Sequence, residues 1–360
     1  MKCGIVGLPN VGKSTLFNCL SNAKALAANY PFATIEPNVG IIPVPDKRLE
    51  QLSKMINPKN VQAAIVEILD IAGLVKGASK GEGLGNKFLA NIRETNAIIH
   101  VLRCFEDANV THVDGIVDPV KDKETVDMEL QLKDLETLEK KKDSLKRLVN
   151  TGDKKALREL EIIDGYYNHI RSGNSARSLH LDGDDCILNL NLLTNKPVLY
   201  VCNVDENSIN GNKYTDMLKK AIEEEKGKLL IISAAIEAEI NELESVLDRQ
   251  EFLKEIGLEE PGVNKIINSA YALLGLHTFF TAGEKEVRAW TIKKGALAPQ
   301  AAGVIHTDFE KGFIRAEVIA FDDRMQFKTE QACREAGKIS IEGKNYEVRD
   351  GDVIHFRFNV

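Results

Sequence analysis

Near the start of the chain one string has the residue types and spacing to hold a nucleoside triphosphate. It is Gly7-Leu8-Pro9-Asn10-Val11-Gly12-Lys13-Ser14, followed by Thr15. The string fits G-x-x-x-x-G-K-[ST], in which glycines let several main-chain N–H groups curl toward phosphate oxygens. A helix N-terminus beneath such a loop adds its positive dipole end. Lys13 can reach the β- and γ-phosphates, and the Ser14 hydroxyl can ligate Mg²⁺. The apolar run Cys3–Val6 reads as a buried strand and Ser14–Leu20 as the start of a helix, which is the context the motif requires. The phosphate-site candidates are Asn10, Val11, Gly12, Lys13, Ser14 and Thr15. Lys13 is also a catalytic candidate.

Asp70-Ile71-Ala72-Gly73 closes a second apolar strand. An Asp at that place holds Mg²⁺ through water, and the Gly N–H senses the γ-phosphate. Between the two motifs lies the loop Tyr30–Asn38, where Thr34 is placed to complete the Mg²⁺ shell. The metal candidates are thus Ser14, Thr34 and Asp70, and Gly73 joins Lys13 as a catalytic candidate. After Gly73, four glycines between Gly77 and Gly85 suit a switch that orders on the γ-phosphate. Leu74 stands where Ras-like enzymes carry a water-orienting Gln, and Leu makes no hydrogen bond. Intrinsic turnover should therefore be slow. His112, in the irregular stretch Asp107–Asp118, is a candidate to supply the missing function, although taken alone it reads as a surface histidine.

Base recognition in GTPases uses N-K-x-D, the Asp accepting from guanine and the Lys stem covering the base. Here the string is Asn203-Val204-Asp205-Glu206. Val204 replaces the Lys, and Glu206 is one methylene longer than the Asp it replaces, so guanine specificity should weaken. Ser233-Ala234-Ala235 follows the next strand and reads as the last base-contacting loop. Asn203, Val204, Glu206, Ser233 and Ala234 complete the nucleotide-binding set.

The elements that position these residues follow from periodicity. Apolar runs at Lys2–Val6, Val39–Pro43, Ala64–Ile71, Ala97–Arg103, Pro197–Asn203 and Lys228–Ser233 alternate with helical patterns, the mark of a parallel sheet wrapped by helices. Between Asp122 and Asn195 the pattern changes. Met128, Leu135, Leu138, Leu145 and Val149, then Ala156, Leu160, Ile163, Tyr167 and Ile170, follow helical spacing around the turn Asn150–Asp153. This predicts two antiparallel helices sharing an apolar seam. Lys140, Lys141, Lys142, Lys146 and Arg147, with Lys154, Lys155 and Arg158 past the turn, make a basic tip. It is either a solvated face or a contact for RNA or a partner. Helices are expected over Lys213–Glu225, Ile236–Leu247 and Val263–Leu274. The tail reads as a small β domain with strands at Glu286–Ile292, Phe313–Ala320, Lys338–Ile341, Tyr346–Val348 and Val353–Phe358. The expected organisation is a nucleotide-binding domain over 1–121 and 196–277, a helical insertion over 122–195 and a third domain over 278–360.

Composition bounds the partners. The 360 residues are 43% hydrophobic and 28% charged with net charge -7, so any RNA contact must come from a local patch. No apolar run is long enough to span a bilayer. The sequence enters its first strand at once, so no signal peptide is expected. Six cysteines without a C-x-x-C pair fit reduced, structural use in the cytoplasm.

Together these motifs resemble the YchF family, also called Obg-like ATPases. Carriers beyond those above are Phe279-Thr281-Ala282-Gly283, Glu286-Val287-Arg288-Ala289-Trp290-Thr291 and His306–Phe313, which are similar to that family's TGS domain. The resemblance implies an α/β fold: a P-loop G domain with a parallel-type sheet, an inserted antiparallel α-helical coiled-coil hairpin and a ubiquitin-like β-grasp TGS domain. It implies ATP hydrolysis in preference to GTP, with Mg²⁺, and places the catalytic histidine at His112. In related enzymes an Asn at the place of Asn10 helps hold K⁺, which makes K⁺ a second expected cation. The resemblance further implies the ribosome, large subunit or whole, as partner, and RNA through the hairpin and TGS domain. It implies no membrane and a monomer, in translation or stress regulation. The rival readings are an Obg-type GTPase and a nucleotide-gated ribosome- or RNA-binding module with incidental hydrolysis.

Overall fold

The computed structural model describes residues 1–22, 38–71, 84–107, 110, 115–223, 225 and 227–359. The elements run β1 (Lys2–Val6), α1 (Lys13–Asn22), β2 (Val39–Pro43), α2 (Lys47–Ile56), β3 (Asn60–Gln62), β4 (Ile65–Asp70), α3 (Leu84–Glu94), β5 (Ala97–Arg103), α4 (Pro119–Val149), α5 (Lys154–Arg171), α6 (Asp185–Leu188), β6 (Val198–Asn203), α7 (Lys213–Glu223), β7 (Lys228–Ile232), α8 (Ala234–Glu242), α9 (Val246–Glu255) and α10 (Gly262–Leu273). They continue with β8 (Leu276–Ala282), β9 (Glu286–Lys293), α11 (Ala298–Ile305), α12 (Thr307–Lys311), β10 (Phe313–Ile319), α13 (Phe321–Phe327), α14 (Glu330–Glu335), β11 (Ser340–Glu342) and β12 (Val353–Phe358). No helix among the described residues is long and apolar enough to cross a membrane.

Two compact units emerge. The first holds residues 1–22, 38–40 and 67–266, and the second 41–66 and 267–359. The first unit is organised by a sheet of order β2-β4-β1-β5-β6-β7. β1 pairs in parallel with both β4 and β5, β5 with β6, and β6 with β7. β5 and β6 are buried along their whole length, as strands covered on both faces must be, and so read as mainly apolar runs, interrupted in β5 by His100 and ended by Arg103 and Asn203. The loops that follow the carboxyl ends of β1, β5, β6 and β7 carry the motif residues, the usual place for ligands in such sheets.

α4 is 31 residues long, with Asp118 accepting from the Lys121 N–H at its start and Pro119 in its first turn. Asp153 starts α5 by accepting from Lys155 and Ala156. The two helices share a core of Leu138, Leu145, Ala156, Ile163, Tyr166 and Ile170. Asp134, fully buried, accepts from the Leu193 and Thr194 N–H groups at 2.7 and 2.8 Å and from the Thr194 hydroxyl, tying the returning chain to α4. Burial raises the Asp134 pKa, opposed by those hydrogen bonds.

The second unit is a sheet of order β11-β10-β12-β8-β9-β3 over a core of Phe279, Ile292, Phe313, Ile354 and Phe356, with α11 packed on it. β3 pairs in parallel with β9, and α2 packs on β8 and β9. Arg48 of α2 bonds Asp46 and Asp350 and lies 5.3 Å from the Phe280 ring centroid. Two expectations for helices and strands fail. The helix expected over Ile236–Leu247 is broken at Leu243, because Ser245 caps a new helix, α9, by accepting from Leu247 and Asp248. Tyr346–Val348 is no strand: it contributes one isolated bridge, Glu347 to Leu297.

Candidate functional site

β1 ends at Val6, and the chain turns into α1 through a loop that only glycine permits. A Cβ on Gly7 would lie 2.7 Å from the Val101 carbonyl oxygen. Gly12 has φ +89°, and a Cβ there would lie 2.2 Å from Asn203 Nδ2. Asn10 is left-handed at φ 63°, which asparagine tolerates.

Lys13 opens α1 and pairs its ammonium with the Asp70 carboxylate at the end of β4. Their side chains are only 9% and 17% exposed, so the pair is well shielded from water. Phosphate oxygens entering the loop would compete for that ammonium.

Asn203, at the end of β6, is 6% exposed and makes two directed bonds. Its Nδ2 donates to the Val11 carbonyl at 2.9 Å, and its Oδ1 accepts from the Ala234 N–H at 2.9 Å. One amide therefore fastens the phosphate loop to the β7–α8 loop. Beside it a cavity of about 730 Å³ is lined by Asn10, Gly12, Thr15, Phe105–Asp107, Val110, Asn203–Asn207, Ala234 and Ala235. Val204 is 2% exposed, and its N–H donates to the Ile232 carbonyl. Glu206 opens a short turn of helix at the cavity wall. The structure thus gathers Asn10, Gly12, Thr15, Asn203, Val204, Glu206 and Ala234 around one cavity, with Val11, Lys13 and Ser14 in the same loop. Ser233 lies behind the wall, its hydroxyl accepting from the Ile236 N–H to cap α8. Thr34, Gly73 and His112 lie outside the described residues, as does Leu74.

Arg103 is a contributor that motif reading passes over. It is 2% exposed, and its guanidinium donates to the carbonyls of Phe105, Val110 and Asp107 at 3.2, 2.9 and 3.3 Å. It also lies 4.6 Å from the Phe105 ring centroid, so it shapes the cavity's far wall. An arginine ending an otherwise apolar strand was the available sign. Outside the wall, the Tyr214 hydroxyl and the Lys213 ammonium hold the Glu106 carboxyl below its ordinary range. Beneath it, the neighbouring Cys202 thiol and burial push the Cys104 thiol far up, which leaves it protonated and inert.

Comparisons with known proteins bear on the family and the fold. The family model described as 50S ribosome-binding GTPase matches residues 2–150. The YchF-GTPase C-terminal model, described as a protein of unknown function, matches residues 276–359. The ribosome-binding ATPase YchF of Haemophilus ducreyi is 55% identical, covering 100% of this chain and 99% of that protein. The chain belongs to the YchF family. The ribosome-binding ATPase YchF of Bacillus subtilis is 51% identical over 100% of both chains. Among solved structures, the Schizosaccharomyces pombe YchF GTPase superposes with TM-score 0.91 at 40% identity, covering 99% of this chain and 97% of that one. YchF membership therefore extends over the whole chain, and the α/β P-loop fold expected from the motifs is the fold observed.

Proposed function

We propose that the chain is a ribosome-binding ATPase that hydrolyses ATP slowly, prefers it to GTP and acts as a Mg²⁺-dependent switch. The observation that carries this reading is the cavity beside the Asn203 clamp, where Val204 and Glu206 take the places of the guanine-reading Lys and Asp. A buried valine offers an apolar wall to any purine, and a longer carboxylate does not reproduce the guanine pairing distance. Whole-length relatives named as ribosome-binding ATPases support the activity and the partner.

The residues present fit Mg²⁺. Ser14 and Asp70 offer hard oxygen donors. Ser14 and Thr34 would hold the ion, with Asp70 behind them. When bound it neutralises developing phosphate charge. Lys13 would hold the β- and γ-phosphates, Gly73 would sense the γ-phosphate and His112 would position the attacking water. K⁺ beside Asn10 is a further element of this reading. Residues 122–195 would serve as an inserted hairpin and 278–360 as a TGS domain, each offering RNA contacts in the cytoplasm.

The test is a pair of titrations with non-hydrolysable ATP and GTP analogues in Mg²⁺, on the unaltered chain and on Val204→Lys with Glu206→Asp. ATP preference that erodes in the double variant is the expected result. GTP preference in the unaltered chain would sink the proposal.

A further inference from the structure

β8 and β12 are neighbours in the middle of the second unit's sheet, yet they are bridged at one register position, Val353 opposite Phe280. There the Phe280 N–H donates to the Asp352 carbonyl at 2.8 Å. In a parallel ladder this bond decides which main-chain groups of β12 face β8: those of the even-numbered residues after Asp352. The odd-numbered Val353, His355 and Arg357 stand opposite Ile319, Glu317 and Arg315 of β10. Past Phe280, β8 runs on to Ala282 without pairing β12 again. The main-chain groups of Phe356 and the N–H of Phe358 therefore turn toward a gap in the sheet.

A cavity of about 680 Å³ occupies that gap. It is lined by Val353, Ile354, His355, Phe356 and Phe358 on one side and by Thr281–Glu286 on the other. Successive side chains of a strand point to opposite faces. A cavity that touches four of them in a row runs along the strand's edge, not over one face. Its apolar wall includes Trp290 and Phe309, the latter stacked on Phe358 with ring centroids 3.7 Å apart. Its charge is acidic. Glu317 is engaged by Arg357 and Arg334. Glu284, Glu286 and Glu330 line the same crevice and carry no ion pair among the described residues, although the Glu286 carboxylate accepts from Asn60 Nδ2 at 3.1 Å; Lys285 is the one lysine or arginine among the lining residues.

We propose that this crevice receives an extended, Lys- and Arg-bearing polypeptide segment of a partner, which adds as a strand along the open edge of β12. Main-chain bonds to Phe356 and Phe358 supply affinity, as in other strand additions. The aromatic wall takes apolar side chains of one parity, and the three carboxylates select cationic ones. A single-stranded nucleic acid is disfavoured by those carboxylates, which repel phosphates. The inference stands apart from the nucleotide chemistry.

The experiment uses the ¹⁵N-labelled full chain and a capped hexapeptide of alternating lysine and valine. Amide exchange and chemical shifts are followed at Phe356 and Phe358. The peptide should slow exchange at these two amides by about tenfold and leave His355, already bonded to β10, unchanged. The same peptide N-methylated at alternate residues should bind about tenfold more weakly, as should the unmodified peptide toward Glu284→Lys with Glu330→Lys, both exposed. These rim residues lie at the surface, so shifts elsewhere should persist. Unchanged exchange with the peptide, or equal binding of the N-methylated form, overturns the proposal. Protection by oligouridine but not by the peptide overturns it too, and makes the crevice a nucleic-acid site.

Discussion

Asn203 is the residue on which the site's architecture can be tested most sharply. The substitution Asn203→Asp keeps shape and volume. The new carboxylate still accepts from the Ala234 N–H, but when ionised it has no proton for the Val11 carbonyl, 2.9 Å away in the unaltered chain. A buried carbonyl loses its donor and faces a negative charge instead. Such a loss costs about 2–3 kcal/mol. The cost falls on the loop conformation that presents N–H groups to phosphate, so triphosphate affinity should drop about 30- to 150-fold. The assay is fluorescence anisotropy of labelled ATP and GTP analogues in Mg²⁺, with circular dichroism to confirm that the sheet is intact. Because the clamp acts on the phosphate loop, both analogues should weaken by the same factor. Affinity within about twofold of the unaltered chain would refute the clamp. A loss confined to one base would show instead that Asn203 reads the base.

Arg103→Met keeps the buried stem but removes the donors to three carbonyls, and should lower stability by about 2–4 kcal/mol in urea unfolding while weakening nucleotide binding. Asp134→Ala strips two N–H groups and a hydroxyl of their acceptor and should cost about 3 kcal/mol by the same measurement. His100 is buried with no partner for Nε2 among the described residues, and burial lowers its pKa from 6.5 to about 4, with Lys123 and Arg177 reinforcing the shift and Asp127 and Glu225 opposing it. The unfolded chain takes up that proton first, so this contribution is complete above pH 6.5 and is lost toward pH 4, at about 1.4 kcal/mol per unit; His100→Phe should flatten that slope in pH-dependent melts. At the hairpin tip Lys141 and Lys142 are held by Glu159 and Asp164, whereas Lys140, Arg147, Lys154 and Lys155 are exposed. Reversing those four charges should abolish salt-sensitive co-sedimentation with ribosomes and leave the melting temperature within a few degrees; unchanged co-sedimentation would remove the hairpin from the interface.

What could be read from residues alone was whatever repeats or punctuates. β5 and β6 are mainly apolar runs, His100 apart, up to the polar residues that end them, and the hairpin repeats its apolar residues at helical spacing for more than four turns, so both are legible at short range. The phosphate loop is legible because its glycines are demanded by contacts that no side chain could tolerate. The residues that escaped notice have no local signature. β8 spans Leu276–Ala282, yet its Leu-His-Thr-Phe-Phe-Thr-Ala string is buried at both parities and lies where α10 ends, so periodicity does not separate strand from helix. Ile41–Val66 follow the first helix in sequence, and nothing local distinguishes them from the parallel sheet they adjoin. Their place with the C-terminal residues rests on β3 pairing with β9 and on Arg48 bonding Asp350, contacts more than two hundred residues apart in the chain. Asn203 shows the same limit at the site. Its type and position suggested a base contact, while its two amide bonds, one to each loop, follow only from where the fold brings Val11 and Ala234. Motifs name the chemistry of a site, and long-range pairing decides which of the named residues are free to perform it.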